Sequence, residues 1–563
     1  MLDIKRIISE LLAETTNLSY DEIYEMIEVP PRAEMGDYAL PCFKLARTLK
    51  KAPNIIAIDL SNSGLRHSIF NRIEAQGPYL NFYLNYAEFA KLLLHDIESA
   101  KGSFGGEDKK DQSVVIDYSS PNIAKPFHIG HLRSTVIGQS LYNIYTHLGY
   151  TCVGINHLGD WGTQFGKQIL AYKMWGDDNI INADPINELV KLYVKFHDEA
   201  DNDPELENQA RAWFKKLENG DTEALQIWKS ISEVSMKEFN KLYNMLGISF
   251  DYNTGESFYI DKVDPVISEL EEKNLLLESD GAQIVHLGED MPPCLIRKAD
   301  GTTIYTSRDI AAAFYRKSEY NFVKALYVTD YSQSLHFTQW IKVIKLMGYD
   351  WADNIHHVPF GRVRLAEGRM QTRKGNVILL KEVLNEAIEK TQGIIEQRNP
   401  DLPNKERVAQ EVAVGALIFN DLYNNRINDI VFDWNELLSF EGETGPYVQY
   451  TYARSCRVLE KAQESISLNV EYNLIADTES IELLKAIYDL PNAIKEASIQ
   501  FEPSLVSRQI MKVARAFNRF YHNNQILVDE KSTQNARLLL CNAANRVLKI
   551  GLDLLNVPTP ERM

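Results

Sequence analysis

Val114-Val115-Ile116-Asp117-Tyr118-Ser119-Ser120-Pro121-Asn122-Ile123-Ala124-Lys125-Pro126-Phe127-His128-Ile129-Gly130-His131 carries a strand, a turn and the start of a helix. Val114 to Ile116 has the short apolar run of a buried strand, a Ser/Pro/Asn turn follows, and Ile129 to Leu148 repeats apolar residues at helical spacing. The unpaired amides of a helix N-terminus attract phosphate, and His128 and His131, three apart, share one face there. Gly130 withholds a side chain where a flat adenine would approach. Taken alone, H-x-G-H fits equally a nucleotide site and a turn that packs its histidines against the next strand.

Moving outward, strand signals recur at Ala325 to Thr329 and His356 to Phe360, with helical spacing from Phe337 to Met347 between them. Strands alternating with helices predict parallel α/β layering. Residues from about 175 to 280 read as mostly helical and polar, an insertion between the two halves of a nucleotide-binding fold. Upstream, helical patterns end in the alternation Gly77 to Leu84, and the Gly- and charge-rich stretch Gly102 to Gln112 reads as a linker. From 381 the pattern is helical almost throughout, including Val408 to Phe419, Pro446 to Ala462 and Arg537 to Leu555. A chain of 563 residues exceeds a single core. The expected architecture is a multidomain α/β protein with an N-terminal α+β domain (1–110), a parallel-sheet domain (111–380) and an all-α C-terminal domain (381–563).

Composition excludes other classes. Apolar residues at 45% and charged ones at 25% are those of a folded globular chain, not of a disordered one. The longest uninterrupted apolar run, Val412 to Phe419, falls far short of the roughly 18 residues of a membrane span. Met1 to Leu18 mixes acids and bases at helical spacing and does not read as a signal peptide, so a cytoplasmic protein without a membrane partner is expected. The five cysteines lie too far apart for a C-x-x-C metal or redox site and read as reduced core thiols. A net charge of -18 argues against polyanion binding by the whole surface, so any nucleic-acid site is local. Residues 501 to 563 carry +4, and Arg508, Lys512, Arg515 and Arg519 are spaced along one helical face; a solvated helix surface is the plainer reading of that charge.

The longer run S-S-P-N-x-A-K-P-x-H-I-G-H-L-R resembles the nucleotide-binding signature of class I aminoacyl-tRNA synthetases in the form found in the arginyl-tRNA synthetases. Asn156-His157-Leu158-Gly159-Asp160-Trp161-Gly162-Thr163-Gln164-Phe165-Gly166 and the terminal Pro560-Glu561-Arg562-Met563 are similar to the same family, so the resemblance covers nearly the whole chain. It implies a Rossmann-like catalytic domain, an N-terminal domain that binds the tRNA D-loop and a C-terminal anticodon-binding domain. The implied reaction is ATP-dependent attachment of L-arginine to tRNA(Arg) through an arginyl-adenylate, releasing AMP and pyrophosphate. ATP would bring Mg²⁺ as its counter-ion, and no tightly bound metal or organic cofactor is implied.

Residue by residue, the resemblance assigns the catalytic charge work to Lys125, His128 and His131, with Gly130 at the nucleotide. The family's second signature, K-M-S-K-S in most class I enzymes, is here Arg369-Met370-Gln371-Thr372-Arg373, followed by Lys374. Its second lysine is replaced by Thr372, so Lys125 is expected to substitute, with Met370, Arg373 and Lys374 also at the ATP. A basic, solvated surface loop is the alternative for that stretch.

A guanidinium is planar, permanently charged and fits a carboxylate bidentately, so its pocket needs acids. Tyr305 and Asp309 stand four apart, on one face if a helix begins there; by resemblance they meet the guanidinium, with Asp117 as a second acid and Asn122 and Gln333 on the amino or carboxylate end. The competing reading makes Asp309 a helix-surface acid paired with Arg308 or Lys317, and Asp117 a turn cap. For tRNA, the resemblance points to Tyr79 and Asn81 at a D-loop base, while Arg515, Phe517 and Tyr521 form a cationic and aromatic surface suited to anticodon bases. Hairpin core and helix core are the alternatives for the aromatics. A monomer is expected. Another class I synthetase or nucleotidyltransferase, and a catalytically silent tRNA-binding or regulatory paralogue, are the rival functions.

Overall fold

A computed structural model describes residues 2–299, 301–365 and 379–563. They divide into two compact units, Met1–Gly105 with Arg454–Pro491 and Lys512–Ile550, and Gly106–Ala453 with Asn492–Met511 and Gly551–Met563.

The first unit opens with the helix Ile4–Thr16, capped by the Asp3 carboxylate on the amide of Arg6, and it buries Ile4, Ile8 and Leu12 along one stripe. Three antiparallel strands follow, β1 (Tyr38–Pro41), β2 (Phe70–Gln76) and β3 (Tyr79–Leu84), in the order β1-β3-β2. Gly77 makes the β2–β3 turn with φ of +57°, a left-handed conformation glycine takes without strain. The same unit draws in C-terminal helices: the Ile4 amide donates to the Tyr488 hydroxyl at 3.0 Å, and Lys485 Nζ lies 2.6 Å from Asp37. Arg546 pairs with Glu98 at 3.0 Å.

The second unit is built on a four-stranded parallel sheet. Strand β4 (Ser113–Asp117) leads through the Ser119 to His128 loop into the helix Ile129–His147 and then to β5 (Thr151–Ile155). Six helices within Thr163 to Glu272 follow. A small antiparallel sheet, β6 (Leu276–Ser279), β7 (Ala282–Val285) and β8 (Cys294–Arg297), is an addition that hydropathy did not reveal. Its strands have four residues each, too few to show a period. The signal that could have found it is Asp280-Gly281, whose φ values of +50° and +76° suit a two-residue hairpin turn.

After the helix Tyr305–Tyr320 come β9 (Lys324–Asp330), the helix Ser334–Leu346 and β10 (Ile355–Phe360). The sheet order is β10-β9-β4-β5, with Asp117 beside Tyr327 and Phe360 beside Asp330. Val114, Val115 and Ile116 are at most 1% exposed, as a strand covered on both faces must be. The strand order reverses between β4 and β9, and in such sheets the crevice opens at the carboxyl ends of the strands flanking that point.

Beyond 381 the regular structure of the described chain is helical except for β12 (Ile430–Phe432), which pairs in parallel with β11 (Val363–Leu365). No helix among the described residues is long and apolar enough to cross a membrane.

Candidate active site

A cavity of about 1510 Å³ opens at the reversal point, with Asp117 from the end of β4, Asp330 from the end of β9 and Phe360 from the end of β10 in its wall. The loop after β4 is strained and heavily braced. Ser119, Ser120 and Ala124 have φ of +69°, +49° and +60°, a region that residues with a Cβ rarely adopt. Hydrogen bonds hold it there: the Ser119 amide donates to Ser134 Oγ at 2.9 Å, Ser119 Oγ bonds the Tyr243 hydroxyl at 2.8 Å, and the Ser120 amide donates to Asn156 Oδ1 at 3.1 Å.

The Asn156 to Gly166 motif supplies much of that brace. A Cβ on Gly159 would sit 2.1 Å from Asn122 Oδ1, so glycine is what lets Asn122 lie against this segment. Asp160 is buried and accepts from the Ser257 amide at 2.8 Å and hydroxyl at 2.6 Å. His157 and Gly159 reach the cavity.

His128 caps its helix by accepting from the Gly130 amide at 3.1 Å, and His131 Nδ1 accepts from the His128 amide at 3.1 Å. The rings stack with centroids 3.7 Å apart. A Cβ at Gly130 would lie 3.0 Å from the His128 ring, so this glycine makes room for the imidazole as well as for a ligand. Burial lowers the His128 pKa. The His131 value falls to about 3, chiefly through burial, with the neighbouring His128 and Lys125 adding to it. With Nδ1 an acceptor in both rings, each neutral imidazole keeps Nε2–H as a donor.

Neutral buried histidines have a consequence for stability. His131 titrates at about 3 and His357, whose Nε2 bonds Thr329 Oγ1 at 2.9 Å, at about 4, both below the ordinary 6.5. The unfolded chain therefore binds more protons, so their contribution to stability is present above about pH 6.5 and is lost as pH falls toward 4. The melting temperature should decline on acidification from pH 7 to 5, and His357→Asn should flatten that slope.

Four carboxylates line the wall, and each meets a basic side chain; that of Asp330 is Arg362, at 3.3 Å. Asp117 Oδ2 lies 2.8 Å from Nη1 of the fully buried Arg316, and Asp117 Oδ1 accepts from Ser120 Oγ at 2.9 Å. Glu256 pairs with Arg308; burial pushes its pKa up to about 8, with Arg308 opposing and Asp309 adding to the rise. Asp309 Oδ2 lies 2.6 Å from His336 Nε2. The helix does begin at Tyr305, so Tyr305 and Asp309 share a face; the surface-pair reading fails because Arg308 is engaged with Glu256 and Lys317 with Asn321 and Phe322. Gln333 and Asn122 also line the cavity. Glu256, Arg316 and His336 escaped the sequence reading, since no local motif marks them.

Other expected site residues are placed differently. Lys125 is exposed and is not among the described residues lining the cavity. Met370, Arg373 and Lys374 lie outside the described residues. Asn81 is 1% exposed, with its amide donating to Gln76 Oε1 at 3.2 Å, so in this conformation it presents no free edge to a base. Tyr79 is half-buried in edge contact with Phe43. Phe517 is 0% exposed and is a core residue, because it lies on the apolar stripe of Ser504–Asn523 with Ile510, Val513 and Phe520. Tyr521 stacks on it and is 40% exposed, beside exposed Arg515. Arg519 is tied to Glu482 at 2.6 Å.

Family models match in three consecutive segments: an arginyl tRNA synthetase N-terminal domain over residues 2–84, a class I tRNA synthetase (R) catalytic domain over 93–434 and a DALR anticodon binding domain over 448–563. The arginine–tRNA ligase of Alkaliphilus metalliredigens is 53% identical over 566 residues, and that of Halothermothrix orenii 53% over 567, each match covering 100% of both chains. The solved arginyl-tRNA synthetase of Thermus thermophilus superposes with a TM-score of 0.83 at 26% identity, again over 100% of both chains. A helix-capping histidine pair and a cavity of paired acids at a sheet reversal point thus occur in a chain that belongs to the arginyl-tRNA synthetases, of class I.

Proposed function

We propose that the cavity holds ATP at the His128–His131 turn and arginine against Tyr305 and Asp309, so that the two substrates of the family reaction meet over the carboxyl ends of β4 and β9. The chain is an arginine–tRNA ligase: it attaches arginine to tRNA(Arg) through an arginyl-adenylate. In the first step an arginine carboxylate oxygen attacks the α-phosphorus and pyrophosphate leaves. In the second, a 3'-terminal ribose hydroxyl attacks the arginyl carbonyl and AMP leaves. The protein's part is positioning and stabilisation of charge developing on phosphate oxygens. Neutral His128 and His131 serve as Nε2–H donors there, Gly130 admits the nucleotide, and Mg²⁺ accompanies ATP as its counter-ion.

The observation that supports this placement is the state of the four acids. Asp117 is held by a buried permanent cation, Glu256 by another and Asp330 by the exposed Arg362, while the partner of Asp309 is an imidazole. Asp309 is the charge left to answer a guanidinium, and Asp117 shapes the wall with its charge already offset. Asn122 and Gln333 hold the amino and carboxylate end. Tyr79, with Asn81 beneath it, reads the D-loop, and Arg515 and Tyr521, backed by Phe517, receive the anticodon loop. The corresponding domains are 1–110, 111–380 and 381–563, in a cytoplasmic monomer with no tightly bound metal or organic cofactor.

Lys125, with Met370, Arg373 and Lys374, meets the ATP phosphates in this reading. An exposed cation acts through more water than a buried one, so Lys125→Ala should lower kcat for arginine-dependent pyrophosphate exchange about tenfold, with little change in KM for arginine. An unchanged kcat would transfer the phosphate role to Arg373 or Lys374.

A further inference from the structure

Three of the four carboxylates in the cavity wall, Asp117, Glu256 and Asp330, are committed to arginine side chains of the protein. Asp309 alone is held by a group that is not a permanent cation, and its pair is far less buried than that of Asp117: the side chains of Asp309 and His336 are 25% and 31% exposed, against 7% and 0% for Asp117 and Arg316. His336 Nε2 meets Asp309 Oδ2 at 2.6 Å, and among the described residues no other hydrogen bond reaches this carboxylate.

The two residues come from different helices. Asp309 is one turn into Tyr305–Tyr320, and His336 lies in the first turn of Ser334–Leu346, three residues after Gln333. His336 is itself seated: its ring packs edge-on against Phe337, which stacks on His357 at 4.4 Å and 3°, and His357 is fixed by Thr329 on β9. A rigid chain of contacts thus runs from the sheet to one oxygen of Asp309.

A carboxylate offers about four lone-pair sites. A guanidinium fork uses one on each oxygen, and an imidazole N–H uses a third, so both can be bound together. Without the imidazole, the Asp309 side chain would have to be frozen into one rotamer at the moment arginine arrives.

We propose that His336 is a positioning residue for arginine recognition, orienting the Asp309 carboxylate so that its remaining lone pairs face the substrate guanidinium. This rests on the placement of arginine at Asp309. His336 does no proton transfer in the reaction; it acts through Asp309, and its effect belongs in arginine KM.

The test is steady-state pyrophosphate exchange with tRNA present, on the full chain, for His336→Ala, His336→Phe, His336→Gln and Asp309→Asn. Ala and Phe, one smaller and one of similar bulk, both without a donor, should raise KM for arginine about tenfold and leave kcat within about threefold and KM for ATP unchanged. Gln, which restores an N–H at similar reach, should recover most of the loss. A change in arginine KM of less than twofold in both Ala and Phe, an equal fall in kcat, or no recovery by Gln would each overturn the proposal. If Phe is normal and Ala alone is impaired, the residue is packing and the proposal also fails. Asp309→Asn separates the two ideas: unchanged arginine KM in that variant removes Asp309 from the site, whereas a large rise there with normal His336 variants removes only His336. Melting temperatures of the four variants, one of which substitutes a partly exposed side chain by glutamine, identify any that do not fold.

Discussion

Asp309→Asn should lower kcat/KM for arginine by roughly 30-fold to several thousand-fold while leaving tRNA affinity and KM for ATP near their original values. The substitution keeps the shape of the side chain and removes its charge. An amide accepts on one side only and turns N–H donors toward a ligand that consists of donors, so one bond is lost and one contact becomes repulsive. The corresponding cost for a desolvated charge pair is about 2 to 5 kcal/mol. The same amide also weakens a hydrogen bond within the protein, since His336 Nε2 sits 2.6 Å from Asp309 Oδ2. An exposed acid in a surface pair would cost only about 1 kcal/mol or less. Pyrophosphate exchange at varied arginine, together with a separate titration of tRNA binding, distinguishes these cases. A change below about threefold would remove Asp309 from the pocket and leave Asp117 and Glu256, each of which would first have to release its arginine partner.

Arg133→Leu should destabilise the second unit by about 3 to 5 kcal/mol, the usual cost of leaving one member of a buried ion pair alone. Arg133 follows the signature turn and is 0% exposed. Its Nε is 3.2 Å from Asp421, its Nη1 donates to the carbonyls of Gly361 and Asn428 at 2.8 Å each, and its Nη2 donates to that of Arg426 at 3.2 Å. Burial raises the Asp421 pKa and Arg133 pulls it down, so removing the guanidinium leaves a carboxyl that favours its neutral form. Three carbonyls lose their donor at the same time. Arg133→Lys keeps the charge without the fork and should recover only part of the loss. All seven tryptophans fall within Gly106–Ala453, so denaturant unfolding followed by tryptophan fluorescence reports on this unit alone. A midpoint shifted by no more than a typical surface substitution would show that the pair contributes nothing net.

Much of this site is legible in the sequence because its geometry is local. A helix N-terminus fixes residues one to four apart, so His128, Gly130 and His131 could be placed on the turn before any tertiary contact was known, and Tyr305 and Asp309 on one face. The strand at Val114 to Ile116 was legible because full burial leaves an unbroken apolar run. Local reasoning failed where two local outcomes look alike. Phe517 and Tyr521 are one helical turn apart, yet one is 0% and the other 40% exposed, and their spacing gives no hint of which side faces a neighbour. Asn81 is a polar residue in an alternating strand, and only the pairing of β3 between β1 and β2 closes it in.

The sequence by itself determined the strand–turn–helix, the parallel-sheet class and the motifs that mark the family, since periodicity, capping and turn chemistry act over a few residues. Only the tertiary structure decided which acid is free for substrate. Asp117 meets Arg316, Glu256 meets Arg308, Asp309 meets His336 and Arg133 meets Asp421 across gaps of 27 to 288 residues in the chain. A charge in a cavity is defined by what neutralises it, and the neutralising partner is chosen by packing between elements, a distance that residue spacing along the chain does not encode.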